Sequence, residues 1–189
     1  MTPLRPSDLR AKLLQPWVHG RHLDLRGVIC EGALDLTGQT ITGVDLSGAE
    51  FPDGITARGA TFAGLAWFKG ARFGSVDLTG ATFANDARFD GAIFDGPARF
   101  RATEFRGIGR FDGARFSARA DFSQTVAYGN FSLQEAAFRD SARFHGAEWL
   151  GGLWCEGTTL PEGTDFTDTQ VHGRLWLRHA HAGNAPLRA

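Results

Sequence analysis

Residues 83–122 read FANDARFDGAIFDGPARFRATEFRGIGRFDGARFSARADF, and their aromatic positions are Phe83, Phe89, Phe94, Phe100, Phe105, Phe111, Phe116 and Phe122. The steps alternate between six and five residues. That spacing suits neither a helix of 3.6 residues per turn nor a plain strand of period two. A short period sustained along a chain points to a solenoid, whose units bury their apolar side only against their neighbours.

Working outward, the same register runs from Leu25 to Leu177 through 29 rungs, every one apolar, and takes in fifteen of the sixteen phenylalanines. Upstream it passes through Cys30, Leu36, Ile41, Leu46, Phe51, Ala57, Phe62, Phe68, Phe73 and Leu78 before Phe83. Downstream of Phe122 it passes through Ala127, Leu133, Phe138, Phe144, Trp149, Cys155, Leu160, Phe166 and Val171. The phenylalanines from Phe83 to Phe122, with Phe138 and Phe144, are the candidate structural core ladder. Two residues before the rung a small side chain recurs, as in Ala81, Ala87, Ala92 and Ala98, and period-two geometry turns it inward beside the rung. The flanking residues, such as Arg88 and Asp90, then face out. Two residues after the rung glycine is frequent, as at Gly43, Gly64, Gly91, Gly96 and Gly107, and positive φ at a recurring corner would explain it.

The units Gly43-Val-Asp-Leu-Ser47, Gly48-Ala-Glu-Phe-Pro52, Gly70-Ala-Arg-Phe-Gly74 and Gly80-Ala-Thr-Phe-Ala84 resemble pentapeptide repeats, whose consensus is A(D/N)LXX. Phe-Asp-Gly-Ala-Arg-Phe at 111–116 resembles a Phe-rich branch of that family. The resemblance implies an all-β fold, a right-handed quadrilateral β-helix with four repeats per coil. Four rungs per coil give about seven coils and a rod on the order of 34 Å long. Phe89 should stack on Phe111, and Phe100 on Phe122, Phe144 and Phe166. The recurrent sixth residue should swell some corners.

Phe131, the phenylalanine off the ladder, follows the small rung Ala127. Either the two exchange volume, or Tyr128-Gly-Asn130 forms a local loop. Residues 1–22 are expected to cap the first coil. Ser7 would be the N-cap of a short helix over Asp8 to Gln15 that Pro16 stops, with Trp17 and Val18 sealing the coil. The solenoid would span 23–178, and 179–189 would be a mobile tail. At the C-terminal end Trp154, Leu175, Trp176 and Leu177 offer an apolar terminus through which a second copy could form a homodimer.

No stretch approaches the ~20 apolar residues of a membrane span, and the first residues lack a signal-like apolar run. Cys30 and Cys155 occupy inward rungs about six coils apart, which suits free thiols and a cytoplasmic protein. The formal net charge of −1 is unevenly spread, with residues 120–172 carrying eight acidic groups against two basic.

Chemistry is scarce. His172, His179 and His181 are near in sequence but have no partners at ligand spacing, so no metal or cofactor is expected. Gly107-Ile-Gly109-Arg-Phe-Asp-Gly113 looks like a phosphate loop, yet its outer glycines coincide with corners and no helix follows. A rod filled with phenylalanine leaves no internal active-site pocket, and its aromatics are not free to stack on bases. The expectation is a non-enzymatic scaffold that meets a protein partner through its walls. The candidate surface is acidic: Glu135, Asp140, Glu148, Glu156, Glu162 and Asp165. The resemblance implies an alternative, because some bacterial members imitate duplex DNA, occupy DNA gyrase and confer quinolone or toxin resistance. Against that stands the arginine column at 88, 99 and 110, which would interrupt a continuous negative stripe.

Overall fold

The computed structural model describes residues 3–188. The chain forms a four-walled parallel β-solenoid of about seven coils with one short N-terminal helix. Each wall is a stack of strands mostly two residues long. Following the chain round one coil, wall 1 contains Ala87–Arg88, wall 2 Ile93–Phe94, wall 3 Ala98–Arg99 and wall 4 Glu104–Phe105. The next coil returns to wall 1 at Gly109–Arg110, paired in parallel with Ala87–Arg88.

Inside, the rungs stack as their register demands. On wall 2 ring centroids are 5.5 Å apart for Phe51–Phe73, 5.1 Å for Phe73–Phe94, 4.6 Å for Phe94–Phe116 and 4.3 Å for Phe116–Phe138. On wall 4 the fully buried Phe83 lies 4.6 Å from Phe62 and 5.0 Å from Phe105. Phe89 lies 4.7 Å from Phe111, and Phe100 lies 4.8 Å from Phe122, nearly parallel in both pairs. Phe122–Phe144 and Phe144–Phe166 continue that column at 5.4 and 5.2 Å. Walls 2 and 3 and walls 4 and 1 meet edge to face, as Phe94 meets Phe100 at 83° and Phe83 meets Phe89 at 88°, while walls 1 and 2 meet at a tilt, as Phe89 meets Phe94 at 41°. Stacking and edge-to-face contact are both favoured geometries for aromatic quadrupoles. The alanines two residues before the rungs are buried beside them. Where threonine replaces alanine before Phe105, Ala127 and Leu160, its hydroxyl donates to a rung carbonyl of the preceding coil: Thr103 to Leu78, Thr125 to Phe100, Thr158 to Leu133. The buried polar group is thereby satisfied.

Phe131 and Ala127 exchange volume. Phe131 is fully buried in a wall 1 strand, Phe131–Ser132, and its ring packs 5.2 Å from Phe105 and 4.4 Å from Trp149. It occupies the gap that Ala127 leaves in the wall 4 column. Gly109 completes the exchange, since a Cβ there would sit 2.6 Å from the Phe131 ring.

The glycines divide into two kinds, which corrects the expectation of positive φ at every corner. Edge 1/2, where wall 1 turns into wall 2, and edge 3/4 do require it, with φ of 64° at Gly91, 66° at Gly113 and 67° at Gly80. In later coils Ala102, Gln124, Glu135, Asp168 and His179 hold the same conformation without being glycine. Edges 4/1 and 2/3 mostly take the six-residue step, and their glycines allow successive coils to touch. A Cβ on Gly96 would run into the Gly74 carbonyl oxygen, and one on Gly151 into the Gly129 carbonyl group.

The helix α1 spans Pro6–Leu13, with Arg5 as N-cap and no side-chain cap. Ser7 therefore lies inside the helix, because Pro6, whose fixed φ suits the first turn, begins it earlier. Leu9 and Leu13 are buried, and Leu13 reaches the first-coil core beside Leu34, Leu36 and Ile41. Trp17 and Val18 do not seal the coil; they are 40% and 53% exposed on edge 4/1. In the segment expected as a mobile tail, His181–Ala182 pairs with Thr159–Leu160 and turns back antiparallel onto Ala185–Pro186. Leu187 there packs against the core.

The packing sets the scale of the losses expected on substitution. Phe116→Ala, which empties the tightest stack, should cost about 3–5 kcal/mol in chemical denaturation. Gly91→Ala meets open space and should cost only the left-handed backbone penalty, about 1–2 kcal/mol. Gly151→Ala meets backbone and should cost more; equal losses for the two would contradict the division of the glycines.

Candidate interaction surfaces

With the interior filled, chemistry is confined to the outward residues. The void enclosed among Leu13, Leu34, Phe62, Phe68 and their neighbours is about 10 Å³, roughly the space of one water probe. Among the described residues no three His, Cys, Asp or Glu side chains gather as metal ligands would. No helix of the described residues is long and apolar enough to cross a membrane.

Wall 3 carries charges of alternating sign. Asp77 pairs in register with Arg99, Arg99 with Asp121, and Asp121 with Arg143, which bridges to Asp165. The aspartates also shape the turn that follows them. Asp77 accepts from the Thr79 hydroxyl and backbone N–H, and Asp165 likewise from Thr167. Burial opposes ionisation of Asp77, but hydrogen bonds from Thr79 and Arg58 prevail and hold its carboxyl below the usual range. The Asp165 carboxyl is lowered too, first by Thr167 and then by His145 and Arg143.

Wall 1 carries a different network. Arg110 spans Asp112 at 2.5 Å and Asp90 at 3.1 Å, and Ser132 donates to Asp112. Arg88, in register with Arg110, instead lies over the Trp67 ring, 5.5 Å from its centroid. Of the two arginines, Arg110 is the one that makes ion pairs among the described residues.

The acidic residues singled out from sequence fall into three places. Asp140 and Glu162 occupy equivalent positions on edge 2/3, one coil apart, with Asp165 following on wall 3. Glu135, at edge 1/2, adjoins Glu156 of the next coil, whose carbonyl accepts from the Glu135 N–H. Glu148 stands apart on wall 4. The residues expected to form a C-terminal dimer also divide. Trp154 and Trp176 are in register on the outside of wall 1, with Arg174 4.9 Å over the Trp176 ring. Leu175 and Leu177 line an apolar cavity of about 250 Å³ at the end of the rod, with Phe166, Val171 and Leu187. Period-two alternation makes that division unavoidable. In the same end coil burial pushes the Cys155 thiol up to about 12, and both cysteines are unpaired and buried.

Sequence reasoning missed a cleft of about 340 Å³ on edge 4/1. There Trp17, His19, Arg21 and His22 lie against Gly64, Trp67, Asn85 and Asp86. The missed signal was the glycine series Gly43 and Gly64, which lets the segment after α1 lie flat on the edge; a Cβ on Gly64 would be 2.5 Å from the Trp17 indole nitrogen.

A family model described as pentapeptide repeats matches residues 46–93 and 78–126. The chain is a pentapeptide-repeat protein. Among solved structures it is similar to HetL, a pentapeptide repeat protein involved in heterocyst differentiation regulation from the cyanobacterium Nostoc sp. strain PCC 7120. Identity is 17%, over 88% of this chain and 92% of that one, with a TM-score of 0.20. No curated protein matches the chain.

The lowered pKa of Asp77 sets the sign of a pH effect. Its contribution is fully present above the unfolded value of 3.8 and is lost as pH falls through the lower folded value. Asp77→Ala should therefore flatten the loss of stability on acidification below about pH 4, measured by urea denaturation across that range.

Proposed function

We propose that this protein is a non-enzymatic interaction rod whose outer walls dock a protein partner in the cytoplasm. The observation that carries the reading is the filled aromatic interior. Phenylalanine columns occupy the space where a solenoid could house a ligand, so recognition falls to side chains fixed on short strands at regular spacing. Such a surface is pre-organised, which lowers the entropic cost of binding.

The partner-facing surface in this reading is the acidic C-terminal half, with Asp140, Glu162 and Asp165 as its densest group. Asp140→Lys with Glu162→Lys changes two exposed edge residues that hold no other described residue by an ion pair. The double variant should keep the circular dichroism and denaturation midpoint of the native protein while losing a partner captured from native lysate. Undiminished capture would remove this surface from consideration.

The alternation of Asp77, Arg99, Asp121, Arg143 and Asp165 along wall 3 favours a scaffold over a DNA mimic. A polyanion imitator needs an unbroken run of negative charge, because phosphate charge dominates what DNA-binding clefts recognise. The expected result is that micromolar protein leaves gyrase supercoiling unaltered at low salt. Salt-sensitive inhibition would reverse the preference.

A further inference from the structure

Across wall 3 and edge 3/4 a cleft of about 270 Å³ is lined by three arginines that the coil brings together, Arg101, Arg119 and Arg143. Its shape follows from the repeat. Arg101, Ser123 and His145 hold equivalent positions in three successive coils, each two residues after the wall 3 column of Arg99, Asp121 and Arg143. Successive coils lie about 4.8 Å apart, so two long side chains stand roughly 10 Å apart with a small one between them. Ser123 forms the floor of that dip.

Three guanidiniums share the lining with two carboxylates, Asp121 and Asp165, and both carboxylates are bound to the turn that follows them. Asp121 accepts from the Ser123 N–H at 3.1 Å and from Arg119 at 3.5 Å. Asp165 accepts from the Thr167 N–H at 3.0 Å and from its hydroxyl at 2.6 Å. The Arg101 guanidinium donates only to the neutral Gln124 amide oxygen, at 3.2 Å. Arg143 has neither a hydrogen bond nor an ion pair among the described residues, and its charge reaches Asp165 only from a distance. A second, independent feature lies at the floor. Ser123 is 8% exposed, yet its hydroxyl has no hydrogen-bond partner among the described residues. A hydroxyl so buried is ordinarily satisfied.

We propose that this cleft binds a phosphate monoester, with Arg101 and Arg143 as charged donors on either side along the rod, Arg119 beside them, and the Ser123 hydroxyl donating from the floor. A tetrahedral group with three free oxygens suits donors converging from several directions, whereas a planar carboxylate engages a single guanidinium fork. The volume decides how much of the ligand enters. Sites for drug-sized molecules begin near about 300 Å³, so the phosphate and the first atoms of its ester are held while the remainder stays outside. His145, at the rim, donates from Nδ1 to the Thr167 carbonyl at 3.1 Å, which leaves Nε2 as the free ring nitrogen. A small phosphorylated molecule and a phosphorylated protein segment present the same group. The site does not depend on which protein the acidic surface recognises, although Asp165 borders both.

The test titrates the isotope-labelled full chain with O-phosphoserine at constant low ionic strength and follows the backbone amide resonances. Saturable shifts are expected at Ser123, Gln124 and Arg143, with Kd on the order of 1 mM or below, and unphosphorylated serine should cause none. Arg101→Gln with Arg143→Gln should weaken binding at least about tenfold, and Ser123→Ala about threefold, with the circular dichroism unchanged. Arg115→Gln with Arg139→Gln removes the same charge near wall 2 and should leave Kd within about twofold. A short phosphoserine peptide distinguishes the bearer: binding at least about tenfold tighter than O-phosphoserine identifies a protein segment, and equal binding a small molecule. Absence of saturation at the three amides overturns the proposal. So does an equal loss in the two double variants, since the attraction would then be diffuse rather than seated in the cleft.

Discussion

The structure depends on a match between two lengths. Backbones of successive coils lie about 4.8 Å apart, the spacing of hydrogen-bonded strands, and aromatic rings stack comfortably at a similar distance. Phenylalanine on successive rungs therefore lets side chains and backbone share one repeat, with centroids between 4.3 Å for Phe116–Phe138 and 5.5 Å for Phe51–Phe73. Neither set of interactions must strain to accommodate the other. Perpendicular contacts between walls, such as Phe100–Phe111 at 89°, then close the square.

Because the interior is committed to packing, its irregularities are compensated locally. Ala127 would leave a void below Phe83 and Phe105 in the wall 4 column, and Phe131 fills it from the neighbouring wall, accommodated by Gly109. Trp149 extends the same repair, although its indole N–H finds no partner in the core. At the corners the chain has two solutions. Edges 1/2 and 3/4 turn through positive φ, and edges 4/1 and 2/3 bring successive coils into close contact, with positive φ added at Gly32, Gly54, Gly152 and Gly163. Ala102, Gln124 and Glu135 show that the first solution tolerates side chains where the surrounding coils determine the backbone.

Function is left to the outside, where the four walls differ. Wall 3 alternates aspartate and arginine in register, wall 1 holds an arginine–carboxylate network beside half-buried tryptophans, and edge 4/1 gathers exposed apolar residues.

The repeat, its register and the stacking of Phe89 on Phe111 were legible in the residue spacing, because a solenoid's contacts follow from a local period, whereas the spacing left the exchange between Ala127 and Phe131 open against a local loop. The family was legible for the same reason. The start of α1 and the seat of Trp17 were not, since one depends on Pro6 outweighing Ser7 and the other on Gly64, far along the chain. The acidic residues were found by count but not by place: Asp140 and Glu162 come together while Glu148 stands on another wall. A sequence with period five determines which side chains turn inward. Only the closed coil decides which outward residues become neighbours, because that depends on where the six-residue steps fall and so on how each wall lines up with the next.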